Sequence, residues 1–398
     1  MNKYLAVLLF FVLNACDQQS IHSIEFDSRG YEMNSEIEAS FISSNEVGLT
    51  ATRYSFVSEY QKLLQTLEKN DSIKNTLEES TWDALNSKTI SADDYILQQA
   101  ANHEIIMFNE NHYLPRHRHF VKTLLPKLYN LGYRYLALEA IGMLGDGNMF
   151  DVDLAERGYP MKYTGHYLKE SEFSSLVRKA IELNFHIIGY DEGSRHGYSG
   201  GAREVRGAEN ILSQIDSIGN LGKLIVLCGW DHLREGNSGT YWEYALAERL
   251  KQKTNNDPLT INQTEYNERL HREYEEPLMQ KIETNQSIIL VDQNNHPIDL
   301  AEDTAWYDAF VIHPRTKFKH GIPNWILEEG PIKKFSLSKI TFEPPYKIFV
   351  FESGDDVKLA APIFVSEHKE KNEKVIVPTR GKKIKLVVTN MKESVLIE

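Results

Sequence analysis

The sequence predicts an α/β protein: a mainly parallel sheet flanked by helices, with a small C-terminal all-β appendage. Two observations support this prediction. Between residues 105 and 312, short continuous apolar runs alternate with segments in which apolar residues recur every three or four positions. Such alternation indicates βαβ crossovers and a parallel sheet that is buried on both faces. From about residue 330 onward, short apolar runs follow one another without helical patterns, which predicts strands only.

The predicted elements of the main sheet follow in order along the chain. Helical patterns cover residues 54–68 and 92–101, and the first strand is expected at residues 105–108. A helix is expected to begin at Pro115, because proline is favoured in the first helical turn. Further strands are predicted at residues 135–138, 185–190, 224–228, 287–291 and 306–312, with helices at residues 172–183, 201–215 and 241–250.

The C-terminal appendage is predicted to contain strands at residues 335–342, 347–351, 361–365, 374–377 and 384–388. The sequence therefore predicts an α/β domain over residues 53–325 and a small β domain over residues 330–398. Cationic side chains are concentrated in the second of these, which indicates a solvated face. They are Lys369, Lys371, Lys374, Arg380, Lys382, Lys383 and Lys385.

The N-terminus has the pattern of an export signal: Lys3, an apolar run over residues 5–13, then Ala15 and Cys16. The run is shorter than the roughly 20 apolar residues that span a bilayer. Residues 13–16 resemble the lipobox of bacterial lipoproteins. This resemblance implies that a signal peptide of residues 1–15 is removed and that Cys16 is acylated, for instance with palmitate. We therefore expect a lipid-anchored membrane protein of the cell envelope, on the periplasmic or outer-surface face, with residues 16–52 as a polar tether.

The composition of the chain limits the classes of partner that it is expected to bind. The net charge of −13 repels phosphate backbones, so no nucleic-acid partner is expected. The expected partners are a small-molecule or peptide substrate and, through the lipid anchor, the membrane. Cys228 is the single cysteine after Cys16, so the processed chain cannot build a disulfide framework. Because Cys228 ends an apolar run, we expect a small buried side chain rather than a nucleophile.

Acidic and imidazole side chains follow four successive predicted strands. In an open parallel sheet, ligands bind at the carboxyl ends of the strands, so these side chains are expected at one edge. A buried carboxylate is costly unless it is paired, which indicates either a functional site or a structural ion-pair layer. The residues are Glu110 and His112 after the first strand, Glu139 closing the second, Asp191 and Glu192 after the third and His232 after the fourth, with Arg203 and Glu204 in the helix from residue 201.

These residues also carry a family resemblance. Residues 106–112 and 132–139 resemble the Gly-Glu-x-His motif and the downstream Glu motif of the erythromycin esterase-like, ChaN-like and Tiki superfamily. Residues 202–204 and 226–233 resemble its Arg-acidic helix and its strand-borne Gly-x-x-His. The resemblance covers roughly residues 92–315, with the four motifs in the family's order. Asn109 stands where the family's motif usually has Gly.

The branches of this superfamily imply different activities. The erythromycin esterase branch hydrolyses a lactone with a His that activates water, helped by a Glu. On that basis we expect Glu110, His112, Glu139, Arg203 and His232 to be catalytic. Either imidazole would take a proton from water, and the two glutamates would orient that imidazole and hold the water. The guanidinium would stabilise the oxyanion. The substrate would be an ester or an amide.

Two other branches leave alternatives open. The Tiki branch, described as metal-dependent proteases, implies a divalent metal held by Glu110, His112, Glu139 and His232. The ChaN branch consists of haem-binding lipoproteins, which implies a protein without catalysis and an axial ligand such as Tyr163, His166 or Tyr167. The long glycine-containing segment over residues 141–170 predicts a lid, and residues 193–201 predict a mobile active-site loop.

Overall fold

The computed structural model describes residues 20–142, 149, 151–192, 200–237, 242–298 and 306–398. The predicted signal peptide and Cys16 lie outside the described residues. So do parts of the predicted lid and of the loop over residues 193–201. Up to residue 142, the elements are β1 (Ile21–Ser23), α1 (Asn34–Ser44), α2 (Val47–Phe56), α3 (Tyr60–Leu67), α4 (Glu79–Ala84), β2 (Lys88–Ser91), α5 (Ala92–Ala100), β3 (Ile105–Glu110), α6 (Pro115–Asn130) and β4 (Tyr133–Gly142).

The remaining elements complete one large sheet and a β-rich C-terminal region. The middle of the chain forms α7 (Leu154–Arg157), α8 (Ser171–Glu182), β5 (His186–Asp191), α9 (Gly201–Ile218), β6 (Lys223–Gly229), α10 (Leu246–Thr254), β7 (Leu259–Asn262), α11 (Pro277–Lys281), β8 (Ile288–Val291) and β9 (Ala309–Ile312). The last part forms β10 (Phe318–Lys319), β11 (Ile322–Pro323), α12 (Asn324–Leu327), β12 (Ile332–Ser336), β13 (Tyr346–Glu352), β14 (Phe364–His368), β15 (Lys374–Pro378), β16 (Ile384–Thr389) and β17 (Ser394–Ile397).

The large sheet has eight strands in the order β2-β8-β9-β7-β3-β6-β4-β5. The pairs from β9 to β5 are parallel, whereas β8 pairs antiparallel with β9 and β2 antiparallel with β8. The predicted fold class, a mainly parallel sheet with a C-terminal β region, is therefore confirmed. The central strands are buried on both sides because helices cover both faces.

Each face of this sheet has its own apolar core. On one face, side chains of α5, α6 and α8 pack against the sheet, with Val121, Leu124 and Leu176 fully buried. On the other face, α9 and α10 supply Ile211 and Leu250. These positions belong to the helical apolar patterns of the sequence, which explains why the helices form and where they pack.

The C-terminal region does not pack as an appendage on its own. Its five-stranded antiparallel sheet has the order β1-β17-β16-β13-β14, so a strand from the start of the described chain forms one edge. Helices α1 to α3 and α12 share a core with this sheet, in which Ile37, Tyr54 and Leu63 are buried beside Phe349. The prediction of a tether is therefore wrong for residues 20–52. Those residues hold a strand and two helices that cover the sheet.

Several element predictions also need correction. The predicted helix over residues 54–68 is divided between α2 and α3, and the helix expected from residue 241 begins at Leu246. Strands β1, β2, β7, β10, β11 and β17 were not expected, and of the predicted strand over residues 335–342 only the first two residues belong to a strand, β12. Arg380, predicted to belong to a solvated basic face, is buried against Glu172 and Glu329, which lie 2.8 and 2.7 Å away. Among the described residues, none of the helices has the length and apolar character needed to cross a membrane.

Candidate functional site

The carboxyl ends of β3, β6 and β4 meet at one edge of the large sheet. Strand β6 lies between the other two, and Glu110 is in register with Gly229 across the β3–β6 pair. Glu139 lies on β4 just past the last residue that β4 pairs with β6. His232 follows in a 3-10 turn, Trp230–Leu233, directly after β6. This edge is where the sequence predicted the side chains to gather.

The first imidazole, His112, is oriented by a buried carboxylate. Its Nδ1 lies 3.0 Å from Oε1 of Glu110. Arg118 donates to the same carboxylate, from Nε to Oε2 at 2.6 Å and from Nη2 to Oε1 at 2.8 Å. Burial opposes ionisation of Glu110, but the Arg118 charge and these hydrogen bonds lower its pKa. Because Glu110 is a carboxylate, Nδ1 of His112 donates to it, and Nε2 is left as the basic nitrogen.

His112 is the accessible member of this pair. Its side chain is 20% exposed, against 3% for Glu110. Tyr167 stacks on the ring with 4.4 Å between the centroids, and Trp230 lies on another side at 5.7 Å. The imidazole is therefore held between aromatic rings while a small reactant can still reach it.

The second imidazole, His232, is enclosed by acidic groups. Its Nδ1 lies 2.8 Å from Oε2 of Glu204, and its Nε2 lies 3.5 Å from Oε1 of Glu139. Trp242 stacks on the ring at 4.9 Å. Burial disfavours the charged ring, but the two carboxylates outweigh it and raise the pKa of His232 to about 10. At neutral pH, His232 is therefore an imidazolium and cannot serve as a base.

Glu139 connects the two imidazoles. Its Oε1 accepts from Nη2 of Arg203 at 2.7 Å, and its Oε2 accepts from the backbone nitrogen of Gly229 at 2.5 Å. A Cβ atom on Gly229 would lie 2.7 Å from Nε2 of His112 and 3.1 Å from Oε2 of Glu139. Both imidazoles therefore border Glu139, and Gly229 is needed because a side chain there would fill the space between the two groups. Burial opposes the ionised form of Glu139, but His232 holds its pKa well below the usual value.

Helix α9, which follows β5, supplies a further cation at this edge. Arg203, in the first turn of α9, donates to both oxygens of Asp191 at 2.8 Å. Its Nη1 lies 3.3 Å from Nε2 of His232. Since His232 is charged, this contact is between like charges, which Glu139 and Asp191 offset. Of the secondary predicted residues, Asp191 and Glu204 contact this site, whereas Glu192 is bound by Arg206 at 2.9 Å and Asn210 at 3.0 Å.

The donor set does not fit a divalent metal. Guanidinium groups contact Glu110 and Glu139 directly, and both nitrogens of His232 face carboxylates. Among the described residues, the acids and imidazoles whose ligand atoms all lie within 4.8 Å of one another are a different group, His119, Glu172 and Glu329. Lys122 and Arg380 pair with these same carboxylates, so that group is a charge-balanced ion-pair network. The four predicted metal ligands do not form such a group.

The residues considered for haem are engaged within the protein. Tyr163 hydrogen-bonds Asp27. His166 packs edge-on against Phe56 at 5.4 Å, and Tyr167 stacks on His112. The described part of the predicted lid holds α7 and a 3-10 turn, His166–Lys169. That segment therefore contributes a ring, that of Tyr167, to the site.

Sequence reasoning missed Arg118, and it named Tyr167 only as a possible haem ligand. Arg118 is three and seven residues before Val121 and Leu125, so it lies on the apolar face of α6, and a cation on such a face is a usable signal. Tyr167 comes from an irregular segment and gives no such signal. The Asn109 side chain bonds to Asn262 and Thr264, at 3.0 Å each, and so ties β3 to the chain at the end of β7. Cys228 is buried as predicted, and burial raises the pKa of its thiol.

Comparisons with known proteins give only distant likenesses. The chain matches no protein-family model and no curated protein. Three solved structures resemble parts of it. The type III effector HopBA1 has a TM-score of 0.30 and 14% identity, over 44% of this chain and 85% of that one. A structure described as showing a thiol-protease like catalytic triad in the C-terminal region of Pasteurella multocida toxin has a TM-score of 0.29 and 12% identity, over 51% of this chain and 30% of that one. RRSP, a MARTX toxin effector domain from Vibrio vulnificus, has a TM-score of 0.26 and 14% identity, over 55% of this chain and 44% of that one.

Proposed function

We propose that this protein is a hydrolase that activates water against an ester or an amide, with His112 as the general base. One observation supports it above the others: a buried, ionised Glu110 fixes Nδ1 of an accessible imidazole, beside a second imidazole that is charged at neutral pH. The two imidazoles can therefore take different roles in acid–base catalysis: His112 accepts a proton, and the charged His232 stabilises negative charge. The resemblance to the erythromycin esterase-like branch agrees with this assignment.

The arrangement suggests one order of events. Nε2 of His112 takes a proton from a water molecule as its oxygen attacks the carbonyl carbon. The oxyanion that forms is stabilised by the positive charges of Arg203 and His232. Collapse of the intermediate breaks the carbon–oxygen or carbon–nitrogen bond, and the imidazolium of His112 returns its proton to the leaving group. Glu110, held by Arg118, keeps the proton on Nδ1 throughout, so only Nε2 of His112 exchanges a proton.

The cellular context is part of the proposal. The predicted signal peptide and the resemblance of residues 13–16 to a lipobox support an exported lipoprotein on the outer side of a membrane. This assignment is supported by the N-terminal sequence alone. The alternative function implied by the resemblance, a noncatalytic haem- or metal-binding lipoprotein, gains no support from the contacts of the candidate ligands.

The test is hydrolysis of a panel of activated esters, lactones and short peptides by the full chain in non-ionic detergent. His112→Gln removes the base and is expected to lower kcat by about a hundredfold or more on any substrate that is turned over. His22→Gln is the matched control, because His22 lies exposed on β1. The proposal is contradicted if His112→Gln leaves turnover unchanged. It is also contradicted if the wild type hydrolyses no substrate in the panel.

A further inference from the structure

Glu170 is a buried carboxylate that the proposed hydrolysis does not use. It immediately precedes α8, and its side chain is fully buried. Its Oε1 accepts hydrogen bonds from the hydroxyl of Tyr60 at 2.9 Å and from the backbone nitrogen of Glu172 at 2.8 Å. Its Oε2 accepts from the backbone nitrogen of Phe173 at 2.8 Å and from Nη1 of Arg118 at 3.3 Å. Each of these contacts comes from a donor, so the surroundings fit an ionised carboxylate.

The charge of Glu170 acts on Arg118. Burial raises the pKa of Glu170, and the Arg118 guanidinium opposes that rise. This guanidinium is itself fully buried and is shared, because its Nε and Nη2 donate to Glu110 while its Nη1 donates to Glu170. The donors of a guanidinium lie in a rigid plane, so a contact at Nη1 also fixes the direction of Nε and Nη2. One positive charge is therefore divided between two carboxylates, and Glu110 keeps negative charge for His112.

A further contact ties Arg118 to the backbone of His112. Nη2 of Arg118 donates to the carbonyl oxygen of His112 at 2.8 Å, in addition to the carboxylate of Glu110. The direction of the guanidinium therefore sets both the main chain that carries the imidazole and the carboxylate that holds its Nδ1. Without Glu170, Nη1 would lose a buried acceptor, which favours a turn of the guanidinium away from these two contacts.

Glu170 also anchors the aromatic ring that stacks on His112. Its backbone nitrogen donates to the carbonyl oxygen of Tyr167 at 3.0 Å, which closes the 3-10 turn His166–Lys169. Its side chain then caps the first turn of α8. The ring of Tyr167 lies on His112 with 4.4 Å between the centroids. One residue thus supports the imidazole from the side of Nδ1, through Arg118, and from the face of the ring, through Tyr167.

This support extends to the N-terminal helices. Tyr60 of α3 donates its hydroxyl to Glu170, and burial raises the pKa of this hydroxyl well above its ordinary value, so it remains a donor. Tyr60 also packs against Trp325 of α12, with 5.6 Å between the ring centroids. Hydrogen bonds therefore connect α3 with the candidate base through three buried charged side chains, those of Glu170, Arg118 and Glu110.

We propose that Glu170 is a positioning residue for His112. It acts through Arg118 and Glu110, which hold the proton on Nδ1 and leave Nε2 as the basic nitrogen. The catalytic consequence rests on the proposed hydrolysis, whereas the effect on the imidazole does not. No sequence motif marks Glu170, because its role arises where a turn, α8 and α6 meet.

The first test is the tautomer of His112 in the full chain, prepared with isotopically labelled histidine and held in non-ionic detergent. NMR at about pH 8, where an ordinary imidazole is neutral, should show the wild type with its proton on Nδ1 alone. His112→Gln identifies the signal by its loss. In Glu170→Gln, which keeps the length of the side chain and removes its charge, a second form protonated on Nε2 should account for about a fifth or more of the signal. A single, unchanged tautomer in Glu170→Gln overturns the proposal.

Glu170→Asp separates this role from the capping of α8. Aspartate is a good N-cap and keeps the charge, but its shorter side chain draws back from Arg118. This variant should unfold in urea with a midpoint close to that of the wild type and still show the second tautomer. If it shows the wild-type tautomer alone, Glu170 is only a helix cap and the proposal is overturned. This variant decides the question if Glu170→Gln does not fold.

Asp355→Asn is the matched control. Asp355 is a buried carboxylate that binds another arginine of the same helix, Arg178, at 2.9 Å. Its replacement should lower the free energy of unfolding without changing the tautomer of His112. A second tautomer in this control means that destabilisation alone disturbs the imidazole, which overturns the assignment to Glu170.

The second test is kinetic. On any substrate of the panel that is turned over, both Glu170 variants should lower kcat about tenfold and leave KM within about twofold, because the base is misaligned while the substrate contacts are kept. Unchanged kcat in a variant with an altered tautomer overturns the positioning role. If the wild type turns over no substrate, the proposed hydrolysis fails, whereas the tautomer measurement still decides the role of Glu170.

Discussion

The raised pKa of His232 allows a quantitative prediction of how the stability of the protein depends on pH. A pKa of about 10, compared with an ordinary value of about 6.5, corresponds to about 5 kcal/mol of interaction that favours the charged ring in the folded state. The side chain is only 10% exposed, so solvent screens this interaction little. The lowered pKa of Glu139 reflects the same contact from the acid's side and adds nothing to the figure.

The direction of the pH dependence follows from linkage. Below the unfolded pKa of about 6.5, both states of the chain bind the proton and the full stabilisation is present. As pH rises from there towards about 10, the unfolded chain releases the proton while the folded chain keeps it, so stability falls by up to about 1.4 kcal/mol per pH unit. His232→Gln removes the titrating group and with it this slope.

The assay is urea unfolding of the wild type and His232→Gln at pH 6, 8 and 9.5, followed by tryptophan fluorescence. The difference in the free energy of unfolding between the wild type and the variant should decrease by several kcal/mol from about pH 6 to about pH 9.5. Groups other than His232 titrate in both proteins and cancel in the difference. A difference that stays constant across this range would refute the charged state of His232 and with it the division of roles between the two imidazoles.

Three further predictions follow. Arg118→Met should lower the free energy of unfolding by about 3–5 kcal/mol in urea, because it leaves Glu110 and Glu170 buried without their cation; a loss below about 1 kcal/mol contradicts the ion-pair account. Tyr167→Leu removes the ring stacked on His112 and should lower kcat about tenfold on a substrate found in the panel, with a stability loss of about 1 kcal/mol; unchanged kcat rules out a positioning role. Cys16→Ser should abolish labelling by radioactive palmitate and release the protein from the membrane fraction; retention of the label shows that acylation occurs elsewhere.

The main sheet could be predicted because its central strands are continuous apolar runs. Strands β3 to β6 are long and buried on both faces, so the sequence marks them clearly. Strands β1, β2 and β7 contain three or four residues each, too few to establish a period. The helices in the predicted tether were missed for a related reason. They are polar over most of their surface, and a few buried side chains such as Ile37 attach them to the C-terminal sheet.

The candidate site could likewise be predicted only in part from the sequence. Glu110, Glu139 and His232 were predictable because strand ends in a parallel sheet converge wherever the chain places them. That His112 is the accessible imidazole and His232 the charged one could not be read from the sequence, because the difference arises from the burial and charge of neighbouring groups. The gathering of both imidazoles around Glu139 confirms the geometric prediction, while their roles in catalysis remain a proposal.

The pairing of β1 with β17 bears on how the protein would sit at a membrane. Ile21 is in register with Ile397, and the backbone of Glu398 bonds to Ser20, so the first described residue is fastened to the edge of the C-terminal sheet. Three residues lie between Cys16 and Ser20, so their Cα atoms are four residue steps apart and can be separated by no more than about 14 Å. If Cys16 carries acyl chains, the folded protein must lie close to the lipid headgroups, with the β1–β17 edge of the C-terminal sheet facing the membrane. The pairing of these two strands would then determine the orientation of the protein on the bilayer.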